Sequence, residues 1–261
     1  MRLSLPLSSA DIESLERATL QAVAPEQVQE IPGWLLPMDH GTVGRAHSAA
    51  PTAHESIDPG AANHIAAAYE AKGFRPVFRV PDLPAFDSFR ARLKAMGFTG
   101  DMPTLTQVGS LERVVAALRH LGTEGVSLEE RPDAAWTAMF LGEGFDPVDG
   151  ASRATSLARA QGTRYVSHRE EVNGSGQTLA CAAASFGHGW LGLHGLRTES
   201  RQRGRGLAGK VLLAMALKAQ AQGIARMYLQ VHASSTSVLA LYRRIGLETA
   251  WGYSYWRDGA G

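Results

Sequence analysis

The stretch that decides the fold reads "RTESRQRGRGLAGKVLLAMALKAQ" and covers residues 197–220. A basic, glycine-containing loop runs directly into an apolar helical pattern. The first turn of a helix exposes unpaired N–H groups and a partial positive charge, and glycines let phosphate oxygens come close. Three phosphate-loop patterns overlap here, namely GxGxxG at 204–209, GxxxxGK at 204–210 and RxxGxG at 201–206.

Two of the three patterns lack residues that their chemistry requires. A triphosphate loop needs Ser or Thr after its lysine to hold Mg²⁺, and Val211 follows Lys210. A dinucleotide site needs an acidic residue about 20 positions further on to hold the ribose. No Asp or Glu occurs between Glu199 and Glu248. An NADP site using Arg226 stays open as a minor alternative, although little chain remains for the rest of a doubly wound sheet.

The third pattern is that of an acyl-CoA pyrophosphate loop, and the surrounding charge favours it. The stretch 200–247 contains basic residues and no acid: Arg201, Arg203, Arg205, Lys210, Lys218, Arg226, Arg243 and Arg244. Such a local positive field suits a ligand that carries a pyrophosphate and a 3′-phosphate.

With these residues in view, the chain resembles the GNAT superfamily of N-acetyltransferases. The matching features are the strand "LGLHGLRT" (191–198), the loop 201–208, the strand "MYLQVHA" (227–233) and "SSTSVLALYRRIGLETAWGYSYW" (234–256). The resemblance covers about residues 125–261. It implies an α/β fold, with a mixed, mostly antiparallel sheet flanked by helices. It also implies transfer of acetyl from acetyl-CoA to a primary amine by direct attack in a ternary complex.

The resemblance also implies which residues contact acetyl-CoA. In the family the strand before the loop separates from the next strand, and the pantetheine arm lies in the gap. Backbone groups of Leu196 and Thr198, with Arg197 between them, are the expected contacts of the arm, and one N–H can stabilise the oxyanion. Ser235 stands where the family often has Asn. The amides expected to hold the pyrophosphate belong to Arg203, Gly204, Arg205, Gly206, Leu207 and Ala208.

Tyr242 occupies the family's general-acid position. A coenzyme A thiolate must leave, and a phenol of pKa about 10 is a plausible proton donor to it. The glutamate base that some members carry before the loop is missing. His194 is the predicted base, with His232 as the alternative, because imidazole titrates near neutrality. No metal is expected.

The two halves of the sequence repeat each other at an offset of about 150 residues. For example, "AKGFRPVFRV" aligns with "AQGIARMYLQV", and "RLKAMGF" aligns with "LYRRIGL". We therefore predict two GNAT-like domains, a degenerate one at 1–121 and a catalytic one at 122–261. The first has Leu93 in place of Tyr242, and "PTAHESIDPGAANH" in place of the arginine-rich loop. It could form a wall of the acceptor cleft, with possible contacts from its hairpin residues Trp34, Arg45, His47 and Ser48.

Composition excludes several other functions. The formal net charge is +1, which gives no reason to expect a nucleic-acid or membrane partner. The single cysteine, Cys181, lies in an apolar run and rules out an internal disulfide. The N-terminus is a poor signal peptide, and no apolar run approaches the roughly 18 residues of a membrane span, so we expect a cytoplasmic protein. A non-catalytic acyl-CoA sensor remains the alternative function.

Local patterns predict the elements. A helix precedes Pro25, strands cover "GWLLPM" and "TVGRAHS", and helices cover 58–72 and 84–96. In the second half Pro132 opens a helix, 147–160 offers another, and the turn at 173–176 joins two strands. A final strand carries Trp251, Tyr253 and Tyr255 at alternate positions.

Overall fold

A computed structural model describes residues 7–142, 146–172 and 175–259. The first half contains α1 (Ser9–Val23), β1 (Gln27–Ile31), β2 (Trp34–Met38), β3 (Ala50–Pro51), α2 (Ala61–Glu70), β4 (Phe78–Pro81), α3 (Asp87–Ala95), β5 (Phe98–Ser110) and α4 (Leu111–Leu118). The second half contains β6 (Val126–Glu129), α5 (Ala134–Ala138), α6 (Pro147–Arg159), β7 (Thr163–Val172), β8 (Ser175–Gly187), β9 (Trp190–Thr198), α7 (Leu207–Ala221), β10 (Arg226–His232), α8 (Thr236–Arg244) and β11 (Glu248–Asp258).

The main sheet has eight strands in the order β4-β11-β5-β10-β9-β8-β7-β6. Among its described pairings only β9 and β10 run parallel, which confirms the predicted α/β class and the mixed, mostly antiparallel sheet. A smaller antiparallel sheet, β1-β2-β3, adjoins it through a parallel bridge between Ala49 and Phe78.

Strands from the two halves of the chain interleave in the main sheet. β5 lies between β10 and β11, and β11 lies between β4 and β5. The two strands of the unit β4-α3-β5 therefore lie on either side of β11. In the same way, the two strands of the unit β10-α8-β11 lie on either side of β5. The reciprocal exchange fits the internal repeat, and it means that both halves share one sheet. The division at residues 121 and 122 stays a prediction.

Helices cover the two faces of this sheet in different ways. α4 and α7 pack on one face through an apolar cluster that includes Leu191, Leu193 and Leu229. α1 crosses from the first half and packs on β8 and β9 of the opposite face, against Trp190 and Tyr228. We call these the α7 face and the α1 face.

Local sequence explains why α1 forms. The Ser8 hydroxyl accepts from the Asp11 N–H, while the Asp11 carboxylate accepts from the Ser8 N–H, so the two form a capping box. Ile12, Leu15 and Leu20 are buried at helical spacing. Among the residues that the structure describes, no helix is long and apolar enough to cross a bilayer.

Most predicted elements are confirmed, and the exceptions are local. The stretch "TVGRAHS" is not a strand, because residues 44–46 form a 3₁₀ helix and the strand follows at Ala50–Pro51. The tightly turned segment allows α1 to pack against it. β1 and α4 were not predicted. The centre of the predicted 173–176 turn, Asn173 and Gly174, lies outside the described residues.

Candidate active site

The central feature of the site is a gap between two parallel strands. β9 pairs with β10 at three positions only, and the last pair joins Gly192 and Tyr228. Beyond it β10 remains paired with β5 as far as His232, whereas β9 turns away toward the glycine loop. The described segment 193–198 therefore has no partner in β10. Separated strands leave backbone N–H and C=O groups that a ligand can pair with.

A bulge in β9 accompanies the separation. The register between β8 and β9 shifts between Cys181 and Ala183, and Gly195 has φ +58°. A Cβ at Gly195 would lie 2.8 Å from the Phe140 ring, so only glycine fits this close approach. The predicted arm contacts Leu196, Arg197 and Thr198 follow this bulge in β9, and all three are partly buried.

The glycine loop has the backbone shape of an anion site. Gly206 precedes α7 in the left-handed region at φ +79°, and Gly204 has φ +82°. Arg203, Gly204 and Arg205 are exposed, whereas Leu207 is buried beneath the first turn and Ala208 is partly buried. No side chain caps the N-terminus of α7 among the described residues, so its first amides remain open to a ligand.

Several basic residues of the stretch are already paired. Arg205 donates to Glu170 at 2.8 Å and also to Gln202, which leaves its backbone amide, not its guanidinium, as the ligand contact. Lys210 lies 4.0 Å from Glu124. Acidic residues from elsewhere in the chain therefore pair with basic residues of the acid-free stretch 200–247. No ion pair of Arg201 or Arg203 is found among the described residues, so these two supply the unopposed charge beside the loop.

Arg226 is also paired with an acidic residue from elsewhere in the chain. It lies 2.5 Å from Asp11 and its guanidinium stacks 4.0 Å above the Trp190 ring. These contacts remove the residue on which an NADP site depended. In the described part of the chain, no cluster of three or more His, Cys, Asp or Glu side chains could hold a metal ion.

Tyr242 lies on the α7 face of the sheet. It is 5% exposed and belongs to the apolar cluster that contains Leu193, Leu207 and Leu229. Burial raises the pKa of its phenol to about 12. The phenol therefore stays protonated at neutral pH. Its hydroxyl has no hydrogen-bond partner among the described residues, so it can donate a hydrogen bond to a ligand.

His194 lies on the opposite face, so the structure does not bring the two predicted catalytic residues into contact. Its Nε2 is 2.9 Å from the Ser185 hydroxyl, and its ring lies edge-on to Tyr228. Burial, aided by the charge of Arg45, lowers the pKa of His194 to about 3. A neutral imidazole at physiological pH can accept a hydrogen bond but is a weak proton acceptor.

The remaining predicted residues lie at the far end of the gap. His232 is exposed at the end of β10, on the same side of the strand as Tyr228, and its Nδ1 is 2.7 Å from the Ser234 hydroxyl. Ser235 is partly buried and precedes α8, with no side-chain cap bond to that helix. Its hydroxyl is therefore not engaged by the helix that it starts.

The sequence did not predict that a set of polar residues, most of them buried, lies together on the α1 face beside the predicted His194 and Arg45. Glu16 of α1 accepts a hydrogen bond from Arg79 of β4, and the two residues are 3% and 1% exposed. Removing one partner of such a pair costs about 3–5 kcal/mol because a buried charge is left alone. We call the set the polar cluster; its members are Glu16, Arg45, Arg79, Ser185, His194 and Tyr228.

Comparison with known proteins identifies the family. The family model described as "Probable histone acetyltransferase Rv0428c C-terminal" matches residues 9–256. The probable histone acetyltransferase Rv0428c of Mycobacterium tuberculosis is 30% identical over 244 residues, which are 90% of this chain and 70% of that protein.

Solved structures show the same fold at low identity. A GCN5-related N-acetyltransferase from Kribbella flavida superposes with a TM-score of 0.67 at 16% identity, covering 96% of each chain. A tandem GNAT protein from the clavulanic acid biosynthesis pathway gives a TM-score of 0.58 at 16% identity over 98% of each chain. The sequence match and the shared fold agree, and the chain belongs to the Rv0428c C-terminal family of GNAT acetyltransferases.

Proposed function

We propose that the protein transfers acetyl from acetyl-CoA to a primary amine by direct attack in a ternary complex. The observation that carries the proposal is the gap that opens after the Gly192–Tyr228 pair and leads to the uncapped N-terminus of α7. A gap with free backbone groups suits the amide-containing arm, and an open helix start suits the diphosphate.

Different residues of the chain bind the different parts of acetyl-CoA. The amides of 203–208 hold the diphosphate, with Arg203 adding charge, and the backbone of Leu196 and Thr198 pairs with the arm. Ser235 donates a hydrogen bond to the arm from the far side of the gap. A backbone N–H of β9 stabilises the negative charge that develops on the acyl oxygen.

The two faces of the sheet have separate roles in this mechanism. Tyr242, on the α7 face, donates a hydrogen bond to the leaving thiolate; its pKa of about 12 keeps it protonated. We place the incoming amine on the α1 face, because His194 and the other members of the polar cluster lie there. There His194 accepts a hydrogen bond from the amine and orients its lone pair, and His232 or water takes up the proton.

We also propose that the enzyme is cytoplasmic, that residues 122–261 form its catalytic half and that residues 1–121 form a degenerate half. The first half contributes α1 and the 3₁₀ helix at 44–46 to the acceptor side. Trp34 does not contribute: it is buried against Phe89 in the core of the first half. The acceptor wall thus depends on α1 and the 44–48 segment.

A non-catalytic acyl-CoA sensor is the second candidate, and the low pKa of His194 favours it because the site then lacks a strong base. One experiment separates the two. The protein is mixed with acetyl-CoA and a panel of amines, free thiol is followed with a chromogenic disulfide, and acetyl-CoA binding is measured by calorimetry. Binding with amine-dependent thiol release supports the enzyme. Binding without release supports the sensor, and absence of binding contradicts both.

A further inference from the structure

We propose that the acceptor amine carries a carboxylate and that Arg45 binds it. The inference rests on the proposed acetyl transfer and names the class of acceptor. Arg45 belongs to the first half of the chain, in the 3₁₀ helix at 44–46, which packs against α1. Its positive charge reaches the polar cluster: burial raises the pKa values of Glu16 and Tyr228 and lowers that of His194, and the charge of Arg45 acts to lower all three.

The charges of the polar cluster do not balance. Arg45 and Arg79 bring two guanidinium groups, whereas Glu16 brings one carboxylate. Glu16 is bonded to Arg79. His194 and Tyr228 add no charge at neutral pH, because burial moves their pKa values to about 3 and about 12. The cluster therefore carries at least one positive charge that none of its members compensates, and this charge favours an anionic ligand.

Arg45 is the residue that lacks a counter-charge. Among the described residues it has no ion pair within 4 Å and no side-chain hydrogen bond, and its Nε is buried without a partner. The residue as a whole is only partly buried, so the remainder of the guanidinium is accessible. Arginine in this state provides a fork of N–H donors whose geometry matches a carboxylate.

The position of Arg45 indicates that the anion it binds belongs to the acceptor amine and not to acetyl-CoA. The diphosphate loop and Tyr242 belong to the α7 side of the site. Arg45 belongs to the α1 side: a Cβ on its neighbour Gly44 would lie 2.8 Å from the ring of Tyr255, which packs in one cluster with Tyr228. The last pair of the β9–β10 ladder contains Tyr228, so this face borders the place where the acetyl group must be transferred. An amine that binds there can place a carboxylate on Arg45, as amino acids and related small molecules would.

The test uses amines matched in pairs that differ by a carboxylate: tryptamine and tryptophan, phenethylamine and phenylalanine, cadaverine and lysine. kcat/KM is measured for each amine with the wild-type chain and with Arg45→Gln, Arg45→Lys and Arg75→Gln. Arg75 is exposed and is none of the residues assigned to the site, so it serves as the matched control. Comparing wild type with Arg45→Gln for the same amine cancels the intrinsic reactivity of that amine.

We expect Arg45→Gln to reduce kcat/KM at least tenfold for the carboxylated member of a pair and at most twofold for its partner. Arg45→Lys should restore part of the loss, and Arg75→Gln should change neither. Thermal unfolding within a few degrees of wild type establishes that the variants are folded. An equal effect of Arg45→Gln on both members, or no effect on either, overturns the inference while acetyl transfer stands. Acetyl-CoA binding with no transfer to any amine overturns the proposed function and the inference with it.

Discussion

Gly192 of β9 and Tyr228 of β10 form the last pair of a parallel ladder, and directly above Gly192 three polar groups converge. A Cβ at this position would lie 2.3 Å from the Ser185 hydroxyl, 2.5 Å from His194 Nε2 and 2.9 Å from the Tyr228 hydroxyl. The missing side chain therefore allows the polar cluster to reach the point where the strands separate.

Replacing Gly192 with alanine tests this packing. The three neighbours are themselves buried, so they cannot move away freely, and overpacking of this kind costs about 1–3 kcal/mol. We expect Gly192→Ala to lower the free energy of unfolding by that amount and to reduce turnover. Gly176→Ala is the control, since a Cβ there meets no atom within 4 Å. Urea unfolding of both variants checks the prediction, and equal stability of the two contradicts it.

Gly206 and Gly223 separate backbone strain from ligand binding. Their φ angles are +79° and +77°, and an L-residue in the left-handed region costs about 1–2 kcal/mol. Both alanine variants should lose comparable stability. Only Gly206→Ala should weaken acetyl-CoA binding, by about tenfold if the loop distorts by some 1.4 kcal/mol. Calorimetric titration with acetyl-CoA measures the difference, and equal affinities for the two variants would remove the loop from the cofactor site.

Tyr242→Phe removes one hydroxyl that has no described protein partner and leaves the buried ring in place. We expect kcat to fall by about 10²–10⁴-fold, the range for a general acid, because the thiolate leaves without a proton donor. The dissociation constant of acetyl-CoA should stay within about twofold of the wild-type value, because the ring is retained and a tenfold change would require a loss of about 1.4 kcal/mol of binding free energy. Turnover at the wild-type rate would mean that another group protonates the thiolate.

His194 should link stability to pH. Its pKa is about 3 in the folded protein and near 6.5 when unfolded, so below pH 6.5 the unfolded state binds the extra proton. This group therefore destabilises the fold as pH falls from 6.5 toward 3, by up to about 1.4 kcal/mol per pH unit. His194→Gln should lose that dependence. Urea unfolding at pH 7, 6 and 5 measures it, and a constant difference between the two proteins would show that His194 titrates normally.

The sequence predicted the second half of the chain well because its evidence is local. The loop, the start of α7 and the alternate burial of Trp251, Tyr253 and Tyr255 follow from glycine positions and from periods of 3.6 and 2 residues. The catalytic and cofactor roles of the named residues stay predictions.

The exchange of β5 and β11 and the packing of α1 on β8 could not be predicted in the same way. Their partners lie more than 100 residues away, as with Gln107 and Thr249, so no local period records them. One signal was available for the polar cluster. Glu16 falls on the buried stripe of α1, four residues after Ile12, and a charged residue on an apolar stripe indicates a buried partner.

The most direct measurement of the central claim is a crystal structure of the protein with coenzyme A bound. We expect the diphosphate oxygens to accept hydrogen bonds from backbone amides of 203–208 and the arm to enter between β9 and β10 beyond the Gly192–Tyr228 pair. Density for coenzyme A at another surface, with β9 and β10 closed on each other and the start of α7 empty, would show that the cofactor does not bind in this gap.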